Sequence, residues 1–200
     1  MRPPNLAGAA TRLLLGIWLQ PIDYCDTLLP GLTFCTHGHP ATLYAYVDAS
    51  YDCYSDSKSH TGISLHLGQF SGAFLTFSKK QTITADSTTV AEFVGTHTAC
   101  QKVLWAQNVL TELGYPQYAP ATMFQDNQST IRLILHKGNA GRTKHIALRY
   151  NMIRECVKHN NIAIEYLPTD QMVADTLTKP LGALLFPQHQ ARILNLYSPI

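Results

Sequence analysis

The chain has 200 residues, of which 46% are hydrophobic and 14% charged, with a formal net charge of +2 at pH 7. That length suits one domain of ordinary size, and the apolar share excludes a disordered tail. So small a net charge excludes a bulk polycation, so affinity for nucleic acid has to come from local clustering.

Residues 5 to 19 place Leu6, Ala10, Leu13, Leu14 and Ile17 at helical spacing, after Pro3-Pro4 and before Pro21. This predicted helix has few polar residues and expects a packing partner. Its apolar run, Leu13 to Leu19, falls short of the ~20 residues a membrane span needs. Arg12 interrupts the apolar region and no clean small-residue cleavage site follows, which argues against a secretion signal. From Pro21 to Pro40 no periodicity is sustained, and Pro30-Gly31 and Gly38-His39-Pro40 mark turns in a linker. Cys35-Thr-His37-Gly-His39 lacks a second ligand pair at metal-finger spacing and reads as a polar loop, not a zinc site. The five cysteines, at 25, 35, 53, 100 and 156, are odd in number with no C-x-x-C. Free thiols in a reducing, intracellular compartment follow.

The globular unit is expected to begin near Ala41. Leu43 to Ala49 alternates, with Leu43, Ala45 and Val47 on one side and Tyr44, Tyr46 and Asp48 on the other. Tyr51 to His60 is polar and turn-rich. Gly62 to Leu67 and Gly72 to Phe77 form two further strands across a hairpin-length connection, so the three make an antiparallel meander. A long helix follows, capped by Asp86 or Ser87, with Val90, Phe93, Val94, His97, Val103, Leu104 and Leu110 on one broad face until Gly114-Tyr-Pro116. Glu92 lies in its first two turns, where a carboxylate gains from the helix dipole; taken alone it is an ordinary solvated acid. Next come a brief strand, Ala121 to Gln125, the pair Asp126-Asn127, and a helix through Leu135. After Gly138-Asn-Ala-Gly141 a helix over 143–159 is expected to bury Ile146, Tyr150, Ile153 and Val157. A strand from Ile162 to Leu167 leads to a short helix ending at Thr178-Lys-Pro180, and a weakly helical tail closes the chain. The order β-β-β-α-β-α-α-β-α argues for an α/β fold, a mixed sheet with helices on its faces.

Four acids stand at element ends: Asp48, Glu92, Asp126 and Asp175. Asp48 and Asp126 close strands, and the carboxyl edge of such a sheet is where ligands bind. Carboxylates gathered there repel and raise one another's pKa values unless a cation sits between them. Oxygen-only ligands suit Mg²⁺ or Mn²⁺, and two such ions about 4 Å apart hydrolyse phosphodiesters. From Asn127 to Arg154 there is no acid, but Arg132, Lys137, Arg142, Lys144, Arg149 and Arg154 are present, with Arg142, His145 and Arg149 on one helical strip. Such a strip suits a phosphate backbone; an ordinary solvated basic face is the alternative.

YVDAS, SKKQTITADSTTVAEF, LWAQNVLTELG, FQDNQST, GRTKHIALRYNMIRE and ADTLTKPL, in this order, closely resemble the ribonuclease H domain of copia-type retrotransposon Pol polyproteins. The resemblance implies a ribonuclease H-like five-stranded mixed sheet, three strands antiparallel and two parallel, spanning residues 41–181. Residues 1–40 would be the tail of a preceding reverse transcriptase region with its linker, and residues 182–200 a C-terminal extension. It further implies hydrolysis of the RNA strand of an RNA–DNA hybrid by two Mg²⁺ or Mn²⁺ ions. Asp48 would bridge both ions, Asp175 would complete the one that activates water, and Glu92 and Asp126 would hold the other. Ser50, Asn127, Gln128, Ser129, Arg142, Lys144, His145 and Arg149 would face the nucleic acid, and the parent polyprotein's reverse transcriptase would be a partner. The chain departs from the family pattern at Ser50 and Tyr51, where a second acid and a tryptophan are usual, and at Val90 in place of a glutamate. The loop Pro168-Thr-Asp170-Gln lacks the histidine that cellular relatives carry before the last acid. A different class of reading is a truncated, non-catalytic remnant that binds nucleic acid or packs on a polymerase.

Overall fold

The computed structural model describes residues 42–69, 71–135 and 144–196. The helix expected over residues 5–19, the linker, Cys25, Cys35 and Arg142 lie outside the described residues. Among the described residues five strands, β1 (Leu43–Ser50), β2 (Lys58–Leu67), β3 (Ala73–Thr84), β4 (Ala121–Gln125) and β5 (Ile162–Tyr166), form one sheet in the order β3-β2-β1-β4-β5. The β1–β2 and β2–β3 pairs are antiparallel, and β1–β4 and β4–β5 are parallel. The expected mixed sheet is therefore present, with β1 at its centre.

Both faces of β1 are covered, so Leu43, Ala45, Tyr46, Val47 and Asp48 are all buried despite the alternation. On one face lie α1 (Thr88–Glu112), α2 (Gln128–Leu135) and α3 (Lys144–Lys158). Leu43, Ala45, Val47, Ile63 and Leu65 pack there against Phe93, Val103 and Leu110 of α1, Ile134 of α2 and Ile153 of α3. Cys100 and Cys156, both free and buried, meet where α1 and α3 pack. On the other face Tyr46 and Phe124 pack against Leu167, Met172, Val173 and Ala174. The pleat puts Asp48 on this second face with Tyr46.

Ser87 caps α1 by accepting from Val90 N at 3.3 Å, and Gly114, at φ +86°, ends it in the left-handed region. Asn127 caps α2, its Oδ1 accepting from Thr130 N at 3.0 Å. Over the second face runs α4 (Leu185–Leu194), beyond the expected end of the domain at residue 181. Its Arg192 donates to Tyr46 Oη at 2.8 Å, and Ile193 packs on the Tyr46–Phe124 cluster. Pro187 falls in its first turn, where a missing N–H costs nothing.

Four elements differ from the sequence reading. β2 and β3 extend to residues 58 and 84, because Lys58 pairs with Thr84 and His60 with Ser50, so pairing on both sides recruits the polar stretch. The buried hydroxyls of that stretch find partners: Gln81 Nε2 donates to Thr61 Oγ1 at 2.9 Å and Asp52 N to Ser59 Oγ at 3.3 Å. The short helix expected before Thr178 is instead two 3-10 turns, Thr169–Gln171 and Val173–Leu177. This segment follows the sheet surface with Val173, Ala174 and Asp175 all buried, and packing against β2 sets its path. In α3, Tyr150 and Ile153 are buried as expected, whereas Ile146 and Val157 are half-buried beside the core.

Candidate metal centre

Asp48 lies near the end of β1, Glu92 in the second turn of α1, and Asp126 directly after β4. Parallel pairing of β1 with β4 sets Tyr46 opposite Phe124, so the two strand-end acids reach the same rim. One carboxylate oxygen from each of Asp48, Glu92 and Asp126 lies within 4.8 Å of the others. Asp48 and Glu92 are only 2% and 3% exposed. The solvated reading of Glu92 is therefore wrong: Ala91 to Thr96 are all buried, so this stretch of α1 is covered around its whole circumference. Asp175, on the second 3-10 turn and also buried, stands outside this triad but beside Asp48.

The acids are held by neutral donors and one cation. Gln125 Nε2 donates to Glu92 Oε2 and to Thr96 Oγ1, each at 3.2 Å, while its Oε1 accepts from Asn127 N at 3.0 Å. Glu92 also accepts from the backbone N–H of Ala49. Thr169 Oγ1 donates to Asp126 Oδ2 at 2.8 Å, and the Thr178 hydroxyl donates to Asp48 Oδ2. Lys179 Nζ lies 3.0 Å from Asp175 Oδ2 and 3.6 Å from Asp48 Oδ1. The turn carrying Asp175 and Thr178 is strapped to the sheet by Ser78 Oγ, which donates to Leu177 O at 2.7 Å; His60 Nε2 lies 2.7 Å from that Ser78 oxygen.

These acids strain one another electrostatically. Burial, joined by the charges of Asp48 and Asp126, pushes Glu92 well above the usual carboxylate range, against the opposing Ala49 and Gln125 hydrogen bonds. Burial likewise raises Asp126, with Asp48 adding to the shift and the Thr169 hydrogen bond opposing it. Asp175 is pushed up to about 7 by burial and by Asp48, although Lys179 opposes the shift. For Lys179, burial alone would lower the pKa, but Asp48, Asp175 and Asp126 outweigh it and raise the value. Asp175 Oδ1 is buried without a hydrogen-bond partner. Raised pKa values on clustered acids, an orphaned carboxylate oxygen and a purely oxygen donor set fit a hard divalent ion.

The expected nucleic-acid contacts are placed unevenly. Gln128 and Ser129 are exposed in the first turn of α2 beside Asp126, and Ser50 is half-buried at the end of β1. Asn127 spends its carbonyl oxygen on the α2 cap. Burial lowers the pKa of His97 on α1, and the charge of Arg149, half-buried on α3, lowers it further. Lys144 and His145 lie in the first turn of α3. Sequence reading missed Lys179, Gln125 and Thr178 as site residues. The four-residue spacing of Asp175 and Lys179, which favours an ion pair on a turn of helix, was the one available signal.

No protein-family model matches the chain. It is 32% identical over 201 residues to the retrovirus-related Pol polyprotein from transposon RE2 of Arabidopsis thaliana, covering 95% of this chain and 14% of that protein. It is 35% identical over 151 residues to the retrovirus-related Pol polyprotein from transposon TNT 1-94 of Nicotiana tabacum, covering 74% of this chain and 11% of that protein. The chain thus spans only a small part of the length of these relatives. Among solved structures, LC11-RNase H1 isolated from compost superposes with a TM-score of 0.52 at 13% identity, covering 69% of this chain and 93% of that one. The foamy viral protease-reverse transcriptase in complex with RNA/DNA hybrid superposes with a TM-score of 0.51 at 16% identity, covering 81% of this chain and 22% of that one. These structural likenesses establish the fold.

Proposed function

We propose that this chain, which is similar to a short segment of the retrovirus-related Pol polyproteins of copia-type transposons and has a ribonuclease H-like fold, hydrolyses the RNA strand of RNA–DNA hybrids with two Mg²⁺ or Mn²⁺ ions. The observation that carries this reading is the convergence of Asp48, Glu92 and Asp126 within 4.8 Å, with Asp175 alongside. When bound, such ions activate a water for in-line attack on a phosphodiester and stabilise the leaving oxygen. Asp48, Glu92 and Asp126 would hold one ion, and Asp48 and Asp175 the other. Gln125 fixes the Glu92 carboxylate, and Thr178 and Thr169 fix Asp48 and Asp126, so the donors are pre-positioned.

The hybrid would lie across the rim, with Ser50, Asn127, Gln128 and Ser129 near the acids and Arg142, Lys144, His145 and Arg149 along the phosphates. RNA would be distinguished from DNA by contacts to 2′-hydroxyls and by hybrid shape. Residues 41–181 would carry this activity, residues 1–40 would be the tail of a reverse transcriptase region, and that polymerase would be the partner in reverse transcription. No helix among the described residues is long and apolar enough to cross a membrane.

The test is cleavage of a labelled RNA–DNA hybrid with Mg²⁺ or Mn²⁺. The expected result is cleavage by the native chain and none by Asp48→Asn at unchanged circular dichroism. Hybrid binding without cleavage by either protein, at high protein concentration, would establish the non-catalytic remnant instead.

A further inference from the structure

Lys179 stands where a cation shared by Asp48 and Asp175 would sit, at 3.6 and 3.0 Å from their oxygens. Its backbone is fixed, because Thr178 N and Lys179 N both donate to Asp175 O, at 3.2 and 3.1 Å. The Thr178 hydroxyl pins the same turn to Asp48. The Lys179 side chain is 37% exposed, so its flexible stem has an open route to water. The ammonium nevertheless fills the position incompletely. It brings one charge against three acids that all bear on it, and Asp175 Oδ1 stays buried without a partner. An unpaired buried carboxylate oxygen is costly, and a divalent ion approaches carboxylates to about 2.1 Å with twice the charge. Glu92 and Asp126 accept from the neutral donors Gln125 and Thr169, so within the triad the ammonium makes an ion pair with Asp48 alone.

We propose that Lys179 is a displaceable placeholder for the second divalent ion. In the free chain its ammonium holds the Asp48–Asp175 position, the triad of Asp48, Glu92 and Asp126 takes the first ion, and Lys179 must swing out before the second is held. The two positions therefore fill in a fixed order. This rests on the metal-centre reading above.

Calorimetric titration of the full chain with Mn²⁺, without nucleic acid, tests the order. The native chain is expected to bind one Mn²⁺ and a second at least ~10-fold more weakly (about 1.4 kcal/mol). Lys179→Met should tighten the second ion by at least that factor, and Lys179→Arg, which keeps the charge, should not. Equal second-ion affinity in the native and Met chains, or tightening by arginine as well, overturns the proposal. A second measurement needs no variant: acylation of Lys179 by an amine-reactive ester, read by mass spectrometry. Its rate should rise several-fold once Mn²⁺ exceeds what fills the first position, and a constant rate sinks the placeholder. Absence of any Mn²⁺ binding in both the native and Met chains would instead remove the metal-centre reading itself, and the placeholder with it.

Discussion

Gly62 offers the sharpest test of how the last acid is positioned. It pairs with Asp48 across β1 and β2, and the 3-10 turn bearing Asp175 lies directly over it. A Cβ built at Gly62 would lie 2.7 Å from Thr178 Cγ2, 2.8 Å from Ala174 O and 2.9 Å from Leu177 Cβ. Ordinary contacts begin near 3.4 Å, so relieving the 2.8 Å contact with Ala174 O moves the turn outward by roughly 0.6 Å. The Ala174 contact is backbone, so a side-chain rotation cannot relieve it. Overpacking of this kind costs about 1–3 kcal/mol, and each 1 kcal/mol lowers the Tm of a domain this size by roughly 2–4 °C. The larger effect is on geometry. Catalytic groups tolerate displacements of about 0.5 Å, and a misplacement near 1 Å costs on the order of 100-fold in rate. We expect Gly62→Ala to lose roughly 2–12 °C in Tm and up to about 100-fold in hybrid cleavage. Gly182→Ala, where an added Cβ meets nothing within 4 Å, is the control and should change neither. A Gly62→Ala protein with native Tm and native cleavage would refute the account of how Asp175 and Thr178 are seated.

Two further predictions concern the acids themselves. Gln125→Leu removes the amide that serves Glu92, Thr96 and the Asn127 N–H together. Leaving buried groups unpaired should cost about 1–3 kcal/mol in urea unfolding, and a loss below about 0.5 kcal/mol would show the bridge to be dispensable. The metal-free chain should also lose stability as pH rises. Glu92, Asp126 and Asp175 all have folded-state pKa values above their usual ones. The folded chain therefore binds more protons than the unfolded chain between the ordinary carboxylate range and the raised values, about 7 for Asp175, and the slope of stability with pH is negative there. His60, His66, His97 and His189 have lowered folded-state values and act in the opposite sense below about 6.5, so without metal the thermal midpoint should fall from about pH 6.5 to pH 8, and saturating Mg²⁺ should flatten or reverse that trend. A flat metal-free profile would mean that the acids are not electrostatically strained.

Much of the frame was legible because its signals are local. β1 announces itself by alternation, α1 by its cap and Gly114, and β4 followed by Asp126-Asn127 by a strand end running into a helix cap. The mixed sheet follows from the order of such elements. Where the reading failed, a neighbour remote in sequence had decided the matter. Polar Lys58 to Thr61 became strand because both β1 and β3 were there to pair with it. The segment before Thr178 tightened into 3-10 turns because β2 presented a glycine for it to lie on.

The candidate site divides in the same way. Which acids stand at element ends can be read along the chain, since breaks, caps and strand termini are properties of a few adjacent residues. That Glu92 is buried rather than solvated, that Gln125 steadies it, and that Lys179 shares Asp48 with Asp175 from 131 positions away emerges from folding. Burial and charge pairing depend on distance in space, and a chain carries that information only once its sheet order has brought the distant residues together.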